Sequence, residues 1–168
     1  MSFLPTDYKV PETGNYMKLR QGKNVFRVLA DAVIGWEYWN RENKPVRSHE
    51  PLDEVPDDIK LDTNGIPTIV KHFWAFPVWN YAAKRVQILE ITQSTIQSDI
   101  EGLYNDEDWS DPKGYDISIT RVGNDMQSTK YNTNPKPKSP IAPNIVEEYD
   151  KKSPNMEALF TGNDPFKS

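Results

Sequence analysis

The chain has no cysteine, which removes disulfides, thiolate nucleophiles and every cysteine-based zinc site at once. Histidine is nearly as scarce. His49 and His72 are the two imidazoles in 168 residues, so catalysis or metal binding built on histidine has little to draw on. No apolar run approaches the ~20 residues that cross a bilayer, and Met1 to Tyr8 lacks the basic start and apolar centre of a signal peptide. A cytoplasmic protein without a membrane partner is the expectation. Nucleophile elbows and phosphate-binding loops are missing too, so we expect no enzyme, no cofactor and no catalytic residues. Apolar residues make up only 36%, prolines number 14 and the mean hydropathy is −0.75, so part of the length should lie outside any core.

What is present is a concentration of rings and β-branched residues between Lys71 and Ile91, split by a short polar break from Asn80 to Lys84. This reads as a β-hairpin. Because strand side chains alternate, Trp74, Phe76 and Val78 share one side, and Lys71, Phe73, Ala75, Trp79 and Tyr81 share the other. The first set reads as core. The second places rings beside a cation, which is what a surface that stacks nucleobases needs.

Around this hairpin, residues 1–22 read as an irregular arm broken by Pro5, Pro11 and Gly14. Asn24 to Trp39 reads as one long strand with Phe26, Val28, Ala30, Ala32 and Ile34 on its apolar side and a bulge at Gly35. Pro45 to His49 is a short partner strand, and the acid-rich Glu50 to Gly65 is a solvated loop. Ile96, Ile100 and Leu103 fall at helical spacing, with Ser94 and Gln97, or Thr92, as its cap. Tyr115, Ile117 and Ile119 alternate with polar residues up to Arg121, Gly123 and Asn124 make a turn, and Gln127 to Asn134 is a last strand that Pro135, Pro137, Pro140 and Pro143 terminate. A short helix is expected around Ile145 to Lys151. The predicted order is strand, strand, strand, helix, strand, strand, that of the five-stranded Greek-key barrel called the OB-fold. An all-β domain over residues 23–138 with one helix, followed by a flexible tail over 139–168, is the predicted organisation.

The wording of three passages adds to the pattern: Phe76-Pro-Val-Trp-Asn-Tyr, then Val86-Gln-Ile-Leu-Glu-Ile-Thr-Gln, then Asp106-Glu-Asp-Trp-Ser-Asp-Pro-Lys-Gly-Tyr-Asp-Ile-Ser-Ile-Thr-Arg. Over residues 24–137, about two-thirds of the chain, it resembles the single-stranded-DNA-binding proteins of tailed bacteriophages. That resemblance implies an OB-fold that coats exposed single strands during phage DNA replication, recombination or repair, in the host cytoplasm. Some relatives carry a structural zinc, which a chain without cysteine cannot hold in that way. Asp164, Pro165 and Phe166 look like the acidic, phenylalanine-containing ends by which single-strand binders dock replication or recombination proteins, although Lys167 and Ser168 follow here.

Single-strand binding needs cations to follow phosphates and rings to stack bases. The candidates are Arg27, Arg47, Lys71, Arg85, Arg121 and Lys130 among the cations and Trp39, Trp79, Tyr81 and Tyr131 among the rings. Lys136 and Lys138 would add flexible attraction. The formal charge of −5 does not exclude this, because 13 of the 25 carboxylates fall in two stretches, Glu50 to Asp62 and Asp99 to Asp116. Two rival readings stand beside it. One keeps the barrel and changes the ligand to RNA, an oligosaccharide or a protein partner. The other is a metal-dependent nuclease using Asp106, Glu107, Asp108, Asp111 and Asp116, although carboxylates crowded in one loop are usually just solvated. Self-association is left open.

Overall fold

The computed structural model describes residues 3–5, 14–123, 125 and 127–167, so part of the expected N-terminal arm, Asn124 of the expected turn and Ser168 lie outside the described residues. Among the described residues, seven antiparallel strands and two α-helices make up the fold. β1 (Gly22–Val28) and β2 (Val33–Trp39) come first, then β3 (Pro45–Ser48), β4 (Lys71–Asn80) and β5 (Arg85–Ile91). α1 (Ser94–Tyr104) precedes β6 (Asp116–Val122) and β7 (Lys130–Pro135), and α2 (Pro143–Lys152) follows with a 3-10 turn at Met156–Phe160. The architecture is therefore mostly β, with strand order β3-β2-β4-β1-β6-β7 and β5 on the other edge of β4.

The long first strand expected from the sequence is two strands. β1 pairs with β4 at Val28↔Val78, and β2 resumes at Val33↔Ala75, so residues 29–32 oppose only Phe76 and Pro77. Proline has no N–H to donate, and the Pro77 carbonyl accepts instead from the Leu29 N–H at 2.9 Å. The ladder breaks where β4 lacks a donor. Gly35, expected to mark a bulge, sits in register opposite Phe73. It is glycine because an added Cβ would come within 2.9 Å of the Phe160 ring and closer still to the Ser48 carbonyl.

The inner face of the sheet holds Phe26, Val28, Phe76, Val78, Leu89, Ile91, Ile117 and Ile119, closed by Ile96 and Ile100 of α1 and by Tyr115. Trp74 packs against this cluster as expected. α1 starts at Ser94 after Gln93, without the side-chain cap expected at Ser94 or Thr92; Gln97 Nε2 donates to the Ile91 carbonyl at 2.9 Å and ties the helix to β5.

The outer face of β2, β4 and β5 is apolar too, and residues 139–167 cover it. Leu159 and the partly buried Met156, Phe160 and Phe166 pack on Phe73, Ala75 and Ile88. Ile145 of α2 packs with Trp79 and Val86, flanked by Ile141, Ala142 and Tyr149. The segment read from the sequence as a flexible tail is thus a cover for the sheet. Few apolar residues suffice, because each lands on a strand face that is already apolar.

Candidate nucleic-acid interface

The structure separates the sequence-predicted site residues into three groups. Arg27, Tyr81 and Trp79 lie under the cover and do structural work. Arg27 is 2% exposed; its Nε donates to Asp116 Oδ1 at 2.7 Å and its Nη2 to the Ser139 hydroxyl at 2.9 Å and carbonyl at 3.2 Å. The Tyr81 hydroxyl donates to the same Asp116 oxygen at 2.8 Å. Burial, helped by that carboxylate, pushes the Tyr81 phenol up to about 12. Trp79, 7% exposed, fills the space between β5 and α2. These three are corrected from base-stacking and phosphate-contacting roles to packing and pairing ones.

Arg47 is likewise enclosed. Its Nη2 donates to Glu90 Oε2 at 2.8 Å, its Nε lies 3.3 Å from Glu37 Oε2, and its guanidinium sits 5.7 Å from the centre of the Phe73 ring. Burial first, and the neighbouring Glu90 second, push the Glu37 carboxyl up to about 8, outweighing the opposite pull of Arg47. Lys71 and Trp39, the latter 45% exposed, are at the surface, yet they stand at the far end of β4 and β2, away from the remaining cations. Asp164, Pro165 and Phe166 do not form a free end. The Pro165 carbonyl accepts from Asn155 N–H at 2.8 Å, Asp164 Oδ1 accepts from Phe166 N–H at 2.9 Å, and the Phe166 ring packs on the sheet.

Arg85, Arg121, Lys130 and Tyr131 do converge. The strand register brings the start of β1, the β4–β5 turn, the end of β6 and the start of β7 to one end of the sheet: Gly22 opposes Arg121, Arg121 opposes Tyr131, and Val122 opposes Lys130. Tyr81 N–H donates to the Val25 carbonyl at 3.3 Å, which brings Lys84 and Arg85 alongside. Asn24 holds the preceding residues in place. Its side chain donates to the carbonyls of Arg20, Gly22 and Ile119 at 2.9, 3.1 and 3.0 Å and accepts from Arg20 N–H at 2.9 Å. Arg121 Nη1 donates to the Leu19 carbonyl at 2.9 Å. Sequence reasoning passed over Lys18, Arg20, Lys23 and Lys84, which also stand here; the available signal was that they flank strand ends that the fold aligns.

Carboxylates are sparse in the segments that carry these cations. Among the described residues of segments 14–25, 81–85 and 120–132, Asp125 is the one acid. It is committed to its own turn, where Oδ1 accepts from Ser128 N–H at 2.7 Å, and these amide bonds hold its carboxyl below the usual range. Away from the turn, the outer face of β1, β6 and β7 carries Lys23, Thr120, Asn132 and Asn134, with Lys136 continuing the alternation beyond β7. The opposite end of the sheet is acidic, with Asp31, Glu101, Asp106, Glu107, Asp108 and Asp111 near the β1–β2 break and the end of α1.

No family model, curated protein or solved structure matches this chain.

The acids offered as metal ligands brace local structure. Asp106 Oδ1 accepts from Asp108 N–H at 2.7 Å, Asp111 Oδ1 accepts from Lys113 N–H at 2.9 Å, and Asp116 is held by Arg27 and Tyr81. Among the described residues no group of three or more histidines and carboxylates is gathered to hold a metal. The histidines are engaged as well: His72 Nδ1 lies 2.9 Å from the Gly35 carbonyl, and His49 Nε2 lies 3.1 Å from Glu157 Oε2.

Proposed function

We propose that the protein binds single-stranded DNA without base selection, through the cationic end and the adjoining outer face of β1, β6 and β7. The observation that carries this reading is the division of charge along β1 and β6: Lys23, Lys84, Arg121 and Lys130 stand in segments where Asp125 is the one acid among the described residues, while Asp31, Glu101, Asp106, Glu107, Asp108 and Asp111 gather toward the other end. A phosphate chain is drawn to the first and repelled by the second. Asn132, Asn134 and Thr120 supply neutral donors and acceptors beside Lys23 on that face, while the half-buried Tyr131 alternates to the other side of β7 and packs against the inner cluster.

The element order supports an OB-type barrel. In that reading β1 and β2 are the two halves of its first strand, β4 and β5 the second and third, α1 the intervening helix, and β6 and β7 the last two. The outer face of β4 and β5, occupied by residues 139–167, is then closed to a strand, and binding moves to the neighbouring face. The resemblance of residues 24–137 to phage single-strand-binding proteins favours a role in phage DNA replication, recombination or repair inside the host cell. The protein acts as a coat, without turnover of nucleic acid.

Fluorescence anisotropy with labelled oligo-dT, oligo-U and duplex DNA at ~50 and ~200 mM salt tests this. About four phosphate contacts would cost roughly 50-fold in affinity over that range. Micromolar or tighter binding to oligo-dT with that loss is expected; a salt-insensitive affinity, or equal preference for duplex, would sink the proposal.

A further inference from the structure

At the acidic end a cavity of about 890 Å³ opens between the β1–β2 break, β4 and the last turn of α1. Its size lies in the range that takes several side chains of a ligand. Ile34 and Tyr104 on its walls are 54% and 61% exposed, although large apolar residues gathered in one concavity usually find cover. Trp74, Phe76 and Ile100 are among the other apolar residues that line it. Ile34 faces Trp74 across the β2–β4 ladder, so the floor is continuous.

The rim is charged with one sign in excess. Asp31, Glu101 and Asp111 border the opening, and its cation, Lys113, is already engaged by Asp31 and, at 3.6 Å, by Asp111. A phosphate backbone would be repelled there. An apolar floor below an acidic rim complements a peptide that offers bulky aliphatic or aromatic side chains flanked by lysine or arginine.

We infer that this groove docks a basic, apolar segment of a partner protein. The site lies at the opposite end of the sheet from the cations, so a partner held there does not compete with a bound strand, and the inference stands whether or not nucleic acid is the ligand of the other end.

The test is selection of short random peptides displayed on the full-length protein, with counter-selection on the variant carrying Ile34→Glu and Tyr104→Ala. Both positions are exposed enough to change without unfolding, which circular dichroism checks. Expected is a consensus of bulky apolar residues next to lysine or arginine, binding about tenfold or more weaker to that variant and to Glu101→Lys, and undisturbed by oligo-dT. A consensus without basic residues, no enrichment over the variant, or displacement of the peptides by oligo-dT would each overturn it, the last by making the groove part of a nucleic-acid path.

Discussion

Arg27 and Lys23 stand four residues apart on the same outer side of β1 and meet opposite fates. Arg27 lies where residues 139–167 fold over the sheet, and it is sealed against Asp116 and Ser139. Lys23 lies beyond the cover, opposite Thr120, and stays in water. The same contrast separates the two halves of the sheet. On β2, β4 and β5 the outer rings and cations became a second core, whereas toward the start of β1, the end of β6 and along β7 the outer residues Lys23, Thr120, Lys130, Asn132 and Asn134 are polar and uncovered by residues 139–167. Alternation tells which side of a strand a residue takes, but only distant chain decides whether that side is covered.

Substitutions can break this contrast, starting with the largest effect. Trp79→Ala should cost about 3–5 kcal/mol of stability, as loss of a buried ring in a packed site does. Chemical denaturation reads it directly; a loss well under 1 kcal/mol would mean that the ring is not part of a core. Arg27→Ala should cost a similar ~3–5 kcal/mol, because it strands the Asp116 carboxylate without its partner. Leu159→Ala, in the cover itself, is expected to cost about 2–5 kcal/mol, and a free tail would show no change. By contrast Lys23→Glu and Lys130→Glu should leave stability within about 0.5 kcal/mol while weakening oligo-dT binding.

The Glu37 carboxyl gives the comparison a pH axis. Its value near 8 in the folded protein lies above that of an exposed glutamate, so the folded state holds a proton that the unfolded state has released. The stability this adds is complete below the ordinary glutamate value and is lost as pH rises through about 8. Thermal melts across that window should show the wild type declining relative to Glu37→Gln; parallel curves would place Glu37 in water. The smallest effect belongs to Trp39→Ala. This exposed ring stands away from the cationic end and should change oligo-dT affinity by less than about twofold, or ~0.4 kcal/mol.

Local pattern was enough to read the β4–β5 hairpin, α1 with Ile96 and Ile100 inward, and β6 with Ile117 and Ile119 inward, because period and turn chemistry are written within a few residues. The break between β1 and β2 was not legible, since its cause is Pro77 on another strand. Nor was the cover. Ile145, Leu159 and Phe166 are isolated apolar residues in polar surroundings, and their partners Trp79, Ile88 and Phe73 lie more than fifty residues away. For the same reason Arg27, Arg47, Trp79 and Tyr81 read as an open surface. Arg121 and Lys130 were legible because strand ends near a tight turn tend to stay in water, while Lys18, Arg20 and Lys23 needed the register to bring them alongside.

The account rests on where the phosphates lie, and the salt dependence of oligo-dT binding by the double variant Lys23→Glu, Lys130→Glu measures that most directly. Removing two phosphate contacts should lower the slope of log affinity against log salt by about 1.4 and weaken binding at low salt, while Lys71→Glu at the far end leaves both near wild type. An unchanged slope in the double variant, with the loss appearing in Lys71→Glu instead, would contradict it.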